Sequence, residues 1–404
     1  MKNESLRVRS DVAGTGAYRT VLATNLPGET ETWLLQACLL DAEGSHEAWR
    51  ALTTSGVDVS DLLTHGGHGM RRLAPLLYEA LRTHDLAADS DLLTRCRMAS
   101  MREDLRARAF SRVAASVFDA LETADIPFVV LKGAALAEPV YGDAVLRHSH
   151  DLELLVPVSA VHRAADALRA ASCEGTEPLR ASGKLRVYHD SGLPVVLRTR
   201  LFEPELYGGE WERCADRTVT ASIAGREVRT LTPALALHHV CVHAAYGHGR
   251  SSLQWVTDAL MLIRRCGDPS SGLCLDWREV SACVRTSHTG LPLATVFAYL
   301  RRELLAAIPD AVVERLERAA DGASVLEREI ALRCVWWGRP RHFGRALRAQ
   351  VRWFDRAGIA FRMAVPSVAY AAYRLDTTPS LRVLATYYAR RATRQTIRAL
   401  EYSR

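Results

Sequence analysis

The chain has 404 residues, 48% hydrophobic and 24% charged, the balance of a folded globular protein rather than of a disordered or membrane-embedded one. Its formal charge of +6 is almost wholly arginine, since only Lys2, Lys132 and Lys184 among 52 basic residues are lysine, and acids are mixed throughout, which gives no argument for nucleic-acid binding. No apolar run approaches the roughly 18 residues that span a bilayer, and nine scattered cysteines without a CxxC pair argue against a disulfide framework.

In chain order, residues 1–29 are polar, rich in Gly, Ser and Thr and without period, and are expected to form a flexible tail. The first twenty lack the apolar stretch of a secretory signal, which points to the cytoplasm. Over 30–105 apolar residues recur at three- and four-residue spacing, with Ser45, Ser60-Asp61 and Ser90-Asp91 as N-caps, and predict an N-terminal helical subdomain. Over 106–231 a helix closing at Ala124 leads into a small α/β core of strand, helix, strand, helix and hairpin, the last strands at KLRVYHD and LPVVLRTRL. From 232 to 404 nearly every segment reads as helix, a C-terminal helical domain. The basic amphipathic end, YYARRATRQTIRALEYSR, suits a solvated face or a partner-docking surface.

The chemistry concentrates between Phe128 and Val156. The apolar run Phe128–Leu131 stops at Lys132-Gly133, where a strand-to-helix turn points backbone N–H groups outward and Lys132 adds a charge for phosphate. Asp151 and Glu153 open the second strand two residues apart, so an extended chain carries both carboxylates on one side. Carboxylates beside a phosphate cradle suit a divalent cation such as Mg2+, and Arg147 stands close enough in sequence to bind phosphate or orient the pair. Taken singly, a Lys-Gly turn and a DxE pair are ordinary surface features. Their order within one short stretch is what points to a site.

LKGAALAEPVYGDAVLRHSHDLELLV resembles the motif LKGxAL…Y…R…DxDLLV of an uncharacterised bacterial nucleotidyltransferase family, part of the polymerase-β-like superfamily. LYEALRTH, LTPALALHHVCVHAAYGH, LQWVTDALMLIRR and DWREV extend the resemblance over roughly residues 35–310. It implies an α+β fold, a small mixed-sheet nucleotidyltransferase core flanked by N-terminal and C-terminal helical regions. It also implies a nucleoside triphosphate (NTP) substrate and Mg2+ (or Mn2+) as cofactor. Carried over by position, Gly133 and Lys132 hold the triphosphate, Asp151 and Glu153 the metal, and Arg147 steadies phosphate or acceptor. His243, His248 and Asp258 fall at family positions near the nucleotide cleft. Members standing beside peptide natural-product pathways make a small molecule or peptide the implied acceptor and a biosynthetic protein a partner.

Three departures matter. Glu153 replaces the second Asp, Ala134 follows the glycine where the superfamily has serine, and Val196 and Arg198 occupy the places of a third acid and a histidine. Losing that acid removes support for deprotonating the acceptor, typically worth roughly 10²–10⁴-fold; Glu203 or Glu205 are the nearby substitutes. Two readings follow: a nucleotidyltransferase acting on a hydroxyl or phosphate, or a catalytically impaired pseudoenzyme serving as nucleotide sensor or scaffold. A zinc site is a remote third. His239 and His243 are one helical turn apart, but Cys241 lies on the opposite face. His148 and His150 frame the loop before Asp151.

Overall fold

The computed structural model describes residues 15–66, 68–175, 183–202, 210–246, 253–338, 351–375 and 380–402, together with 177, 179, 344, 347 and 348. Seven helices come first: α1 (Thr15–Leu22), α2 (Glu29–Leu39), α3 (Ala42–Thr54), α4 (Val59–His65), α5 (His68–Arg71), α6 (Ala74–Thr83) and α7 (Ser90–Thr123). Two expectations change here. Residues 15–22 are helix rather than tail, because Tyr18, Val21 and Leu22 share one face and are buried. The caps are aspartates upstream of the expected serines: Asp41, Asp58 and Asp89 each accept the backbone N–H three residues on. Helix α7 runs unbroken for 34 residues, as no glycine or proline interrupts it.

The core follows as β1 (Val129–Leu131), α8 (Lys132–Ala137), β2 (Leu152–Leu155), α9 (Val161–Ala167), β3 (Cys173–Glu174), β4 (Lys184–His189), β5 (Pro194–Arg198), α10 (Trp211–Cys214), β6 (Thr218–Ile223) and β7 (Arg226–Leu231). The strands form one mixed sheet in the order β3-β4-β5-β2-β1-β7-β6. β1 is antiparallel to β2 and parallel to β7, and β2 is parallel to β5. Alternation along β1 sends Val130 to one face of the sheet and Val129 and Leu131 to the other. Val130, with Leu152, Leu154, Val195 and Leu197, packs under α7 and α9 against Phe118 and Leu168.

The other face meets α11 (Pro233–Tyr246), α12 (Gln254–Gly267), α13 (Trp277–Ser287), α14 (Gly290–Leu304), α15 (Asp310–Asp321) and α16 (Val325–Gly338). Three more helices span Trp353–Ala364, Val368–Leu375 and Leu381–Tyr402. The helices before and after the sheet, separate in sequence, share one core in which Leu34 and Leu35 join Leu293 and Leu300. Polar bonds cross the same seam. Thr32 Oγ1 lies 3.0 Å from Tyr299 OH, Gln36 Nε2 donates to the Glu303 carbonyl at 2.8 Å, and Arg264 donates to the Leu39 carbonyl. Among the described residues no helix is long and apolar enough to cross a membrane. Burial pushes the thiols of Cys173 and Cys214 up to about 11 and about 12, so neither is a poised nucleophile.

Candidate functional site

The turn between β1 and α8 is strained at Lys132. Leu131 is extended, and Lys132 then takes φ +44°, a conformation that costs a side-chain-bearing residue of order 1–3 kcal/mol. Gly133, expected to supply the turn, has no such φ. Glycine is required there for space, since a Cβ would lie 2.7 Å from Arg147 Nη1 and 2.9 Å from Ser149 Oγ. The strained turn carries Lys132 Nζ to 3.0 Å from Oε2 of Glu153.

Glu153 lies in register with Leu131 on β1 and with Val196 on β5. Side chains at the same register of neighbouring strands face the same way, and i+2 repeats the direction, so Val196 and Arg198 share the Glu153 face. Arg198 is only 2% exposed and has its Nη1 3.3 Å from Glu153 Oε1. Its Nε and Nη2 donate to the carbonyls of Arg200 and Leu201 at 3.2 and 2.9 Å. Burial alone would favour the neutral acid. Lys132, Arg198 and His243 outweigh it and hold the Glu153 carboxyl well below the usual range. Burial holds Lys132 below the ordinary ammonium value, with Glu153 working against that shift. One buried carboxylate thus bonds two buried cations, and the more exposed Asp151 also acts on Lys132 from a distance.

His239 on α11 completes this environment. Burial, then Lys132 and Arg198, keep its pKa well below that of a free imidazole, so the ring is neutral, and its Nε2 finds no hydrogen-bond partner among the described residues. It borders, with Lys132, an apolar cavity of about 40 Å³ between α8, β7 and α11. That volume admits a water or two and no nucleotide, since ligand pockets run to roughly 300–1,000 Å³.

Arg147 and Asp258 are also brought together, with each other. The guanidinium bonds both Asp258 oxygens, Nη2 to Oδ2 at 2.7 Å and Nε to Oδ1 at 3.1 Å, and Tyr141 OH donates to Oδ1 at 2.8 Å. Nη1 donates to the His148 carbonyl at 2.8 Å. The pair is a buried strut from the loop before β2 to α12, and it engages every nitrogen of the arginine. Asp151 stands one residue before β2 with a partly exposed carboxylate, 3.7 Å from His150 Nε2. His148 turns away to Glu103 on α7, its Nδ1 3.0 Å from Oε2. His243 is exposed on α11. His248, Glu203 and Glu205 lie outside the described residues.

Sequence reasoning missed two members of this environment. In the sequence Arg198 stands out only as the residue in place of a histidine, and His239 only for its spacing from His243. A charged residue at an inward-facing position of an otherwise apolar strand, as in VVLR, was the available signal for Arg198.

With the geometry in place, comparison with known families bears on it directly. The sequence model of an uncharacterised nucleotidyltransferase family matches residues 69–321, from α5 to the end of α15. The chain belongs to this nucleotidyltransferase family. No curated protein and no solved structure matches it. Phosphoryl-transfer enzymes with two-metal centres hold the ions about 3.5–4 Å apart between shared carboxylates. The described residues of this family member do not make up such a centre, and Glu203 and Glu205 lie outside them. Glu153 is bonded to Lys132 and Arg198, an isopropyl group stands opposite it, and no three His, Cys, Asp or Glu side chains among the described residues are grouped to hold a metal ion.

Proposed function

We propose that this nucleotidyltransferase-family protein binds the triphosphate of a nucleotide at the head of β1 and β2 and serves as a nucleotide-responsive sensor or scaffold for a biosynthetic partner. One observation carries the reading: among the described residues Glu153 is the single acid bonded to Lys132 and Arg198, which leaves two buried cations sharing one bonded carboxylate. Buried positive charge so incompletely paired is costly and is offset by an incoming phosphate. Family membership and the strained Lys132-Gly133 turn support the same placement. Magnesium enters on this reading with the triphosphate, as part of the substrate. The test is a binding titration with ATP, CTP, GTP and UTP in magnesium, run beside a pyrophosphate-release assay. At least one nucleotide binds, Lys132→Met and Arg198→Met weaken it tenfold or more, and no pyrophosphate appears above the blank. Absence of binding for all four overturns the proposal.

A second reading is transfer of the nucleotidyl group to a hydroxyl or phosphate of a small molecule or peptide. It is favoured by Asp151, whose partly exposed carboxylate has no hydrogen bond or ion pair closer than His150 at 3.7 Å among the described residues. A proton-accepting carboxylate at the sheet head suits acceptor activation. Pyrophosphate release that disappears in Asp151→Ala would establish this reading over the first.

A further inference from the structure

A second charged site lies outside the head of the sheet. Helix α7 presents Ala99, Arg102, Glu103 and Arg106, at positions i, i+3, i+4 and i+7, to a half-open cleft of about 370 Å³. Arg71, at the end of α5, Arg72 and Pro75 form the opposite wall, and His148 joins them from the loop before β2. Four arginines and a histidine thus surround a volume large enough for a small ligand. The single acid of the lining, Glu103, is already engaged, by His148 at 3.0 Å and by Arg106 at 3.6 Å. Among the described residues Arg102 reaches only the carbonyl of Met98 on its own helix, at 3.3 Å. Arg71 and Arg72 have no hydrogen bond or ion pair among the described residues. Arg72 is half-buried as well, and burial first, then the nearby charge of Arg147, push its pKa below the ordinary arginine value against the opposing pull of Asp151 and Glu103.

We infer that this cleft is an anion site that takes a phosphate-bearing group. A half-buried guanidinium among like charges is unfavourable until an anion arrives, and the planar fork of arginine matches phosphate oxygens in pairs. The cleft is distinct from the Lys132–Glu153–Arg198 cluster, and its charge excess stands whether or not a nucleotide binds there. His148 connects the two places, since it lines the cleft and lies three residues before Asp151. The phosphate group belongs either to a separate phosphorylated ligand or to the tail of a nucleotide reaching across from the sheet.

The probe is inorganic pyrophosphate, titrated calorimetrically into wild type, Lys132→Met and an Arg72→Gln/Arg106→Ala double variant, with a thermal melt of each to verify folding. Lys132→Met, whatever it loses at the sheet head, keeps a pyrophosphate site of wild-type affinity at the cleft, and the double variant loses that site at least tenfold. Raising the salt weakens binding in wild type and Lys132→Met. A repeat in saturating ATP distinguishes the sources: pyrophosphate displaced by ATP assigns the cleft to the nucleotide's own phosphates, and pyrophosphate bound beside ATP assigns it to a second ligand. An exposed single variant, Arg102→Ala, gives a smaller loss of the same sign and covers the case in which the double variant does not fold. No binding to wild type, or affinities within twofold across the folded variants, overturns the inference. Loss confined to Lys132→Met overturns it too, and moves the pyrophosphate to the sheet head.

Discussion

Glu153 and Val196 stand side by side across the parallel register of β2 and β5, a carboxylate against an isopropyl group on the same face of the sheet. Val196→Asp places a second acid next to Arg198 and Lys132, so that the two cations no longer share one carboxylate. Nucleotide affinity then falls, by about tenfold for a loss near 1.4 kcal/mol. Val196→Asn has nearly the same shape without the charge and leaves affinity within about threefold. The two variants are compared by calorimetric titration. Equal losses would show that shape at position 196 matters and charge does not.

Gly133 and Asp258 are linked through one guanidinium. Gly133→Ala sets a Cβ against Arg147 Nη1, and overpacking of this kind costs roughly 1–3 kcal/mol. Asp258→Ala removes the bidentate partner of the same arginine, a loss of roughly 3–5 kcal/mol for a broken buried pair. Because both changes dislodge Arg147, the double variant loses less than the sum. Urea unfolding of the four proteins measures the coupling, and strict additivity would separate the two contacts.

Lys132 combines strain with an ion pair, and two substitutions separate them. Lys132→Met keeps the positive φ and loses the bond to Glu153, whereas Lys132→Gly loses the bond and relieves the backbone. The glycine variant is therefore the more stable of the two in thermal or urea unfolding, by about 1 kcal/mol.

How far the sequence led differs between the backbone and the charges. The strand from Val129, the hairpin strands at 184–189 and 194–198 and most helices follow from period and turn residues alone. β6 was missed because TVTASI alternates weakly and is supported by its pairing with β7. The two helical regions were read as separate because period gives a helix its apolar face and says nothing of what covers it. Within the site, position decided Lys132 and Glu153, since neighbouring strands bring them together. The commitment of Arg147 to Asp258, 111 residues on, depends on tertiary packing that no local pattern encodes.

His238 sets an acid limit on stability. It is buried, with Nε2 3.0 Å from the hydroxyls of both Thr289 and Ser287, and burial lowers its pKa to about 3. The folded protein therefore keeps this ring neutral while the unfolded chain takes up a proton near the ordinary value of about 6.5. Below that value the unfolded state binds more protons, so stability falls as pH drops, by about 1.4 kcal/mol per unit for one group, until the folded pKa is reached. His238→Gln removes about one proton from the slope of unfolding free energy against pH between 6 and 4. His239, also depressed by burial, keeps its own share in that variant.

The bond between Thr32 and Tyr299 spans 267 residues of chain, and this has a consequence for synthesis on the ribosome. At about 5–20 residues per second, α2 emerges roughly 13–50 s before α14, one of the helices that cover it. Throughout that interval α3 and α6 can already pack on α2, but the side that meets α14 stays uncovered, so the growing chain exposes apolar surface to holding chaperones. In ribosome-bound chains of increasing length, α2 reaches its full resistance to protease only once α14 has cleared the exit tunnel. A helix made early thus completes its packing late.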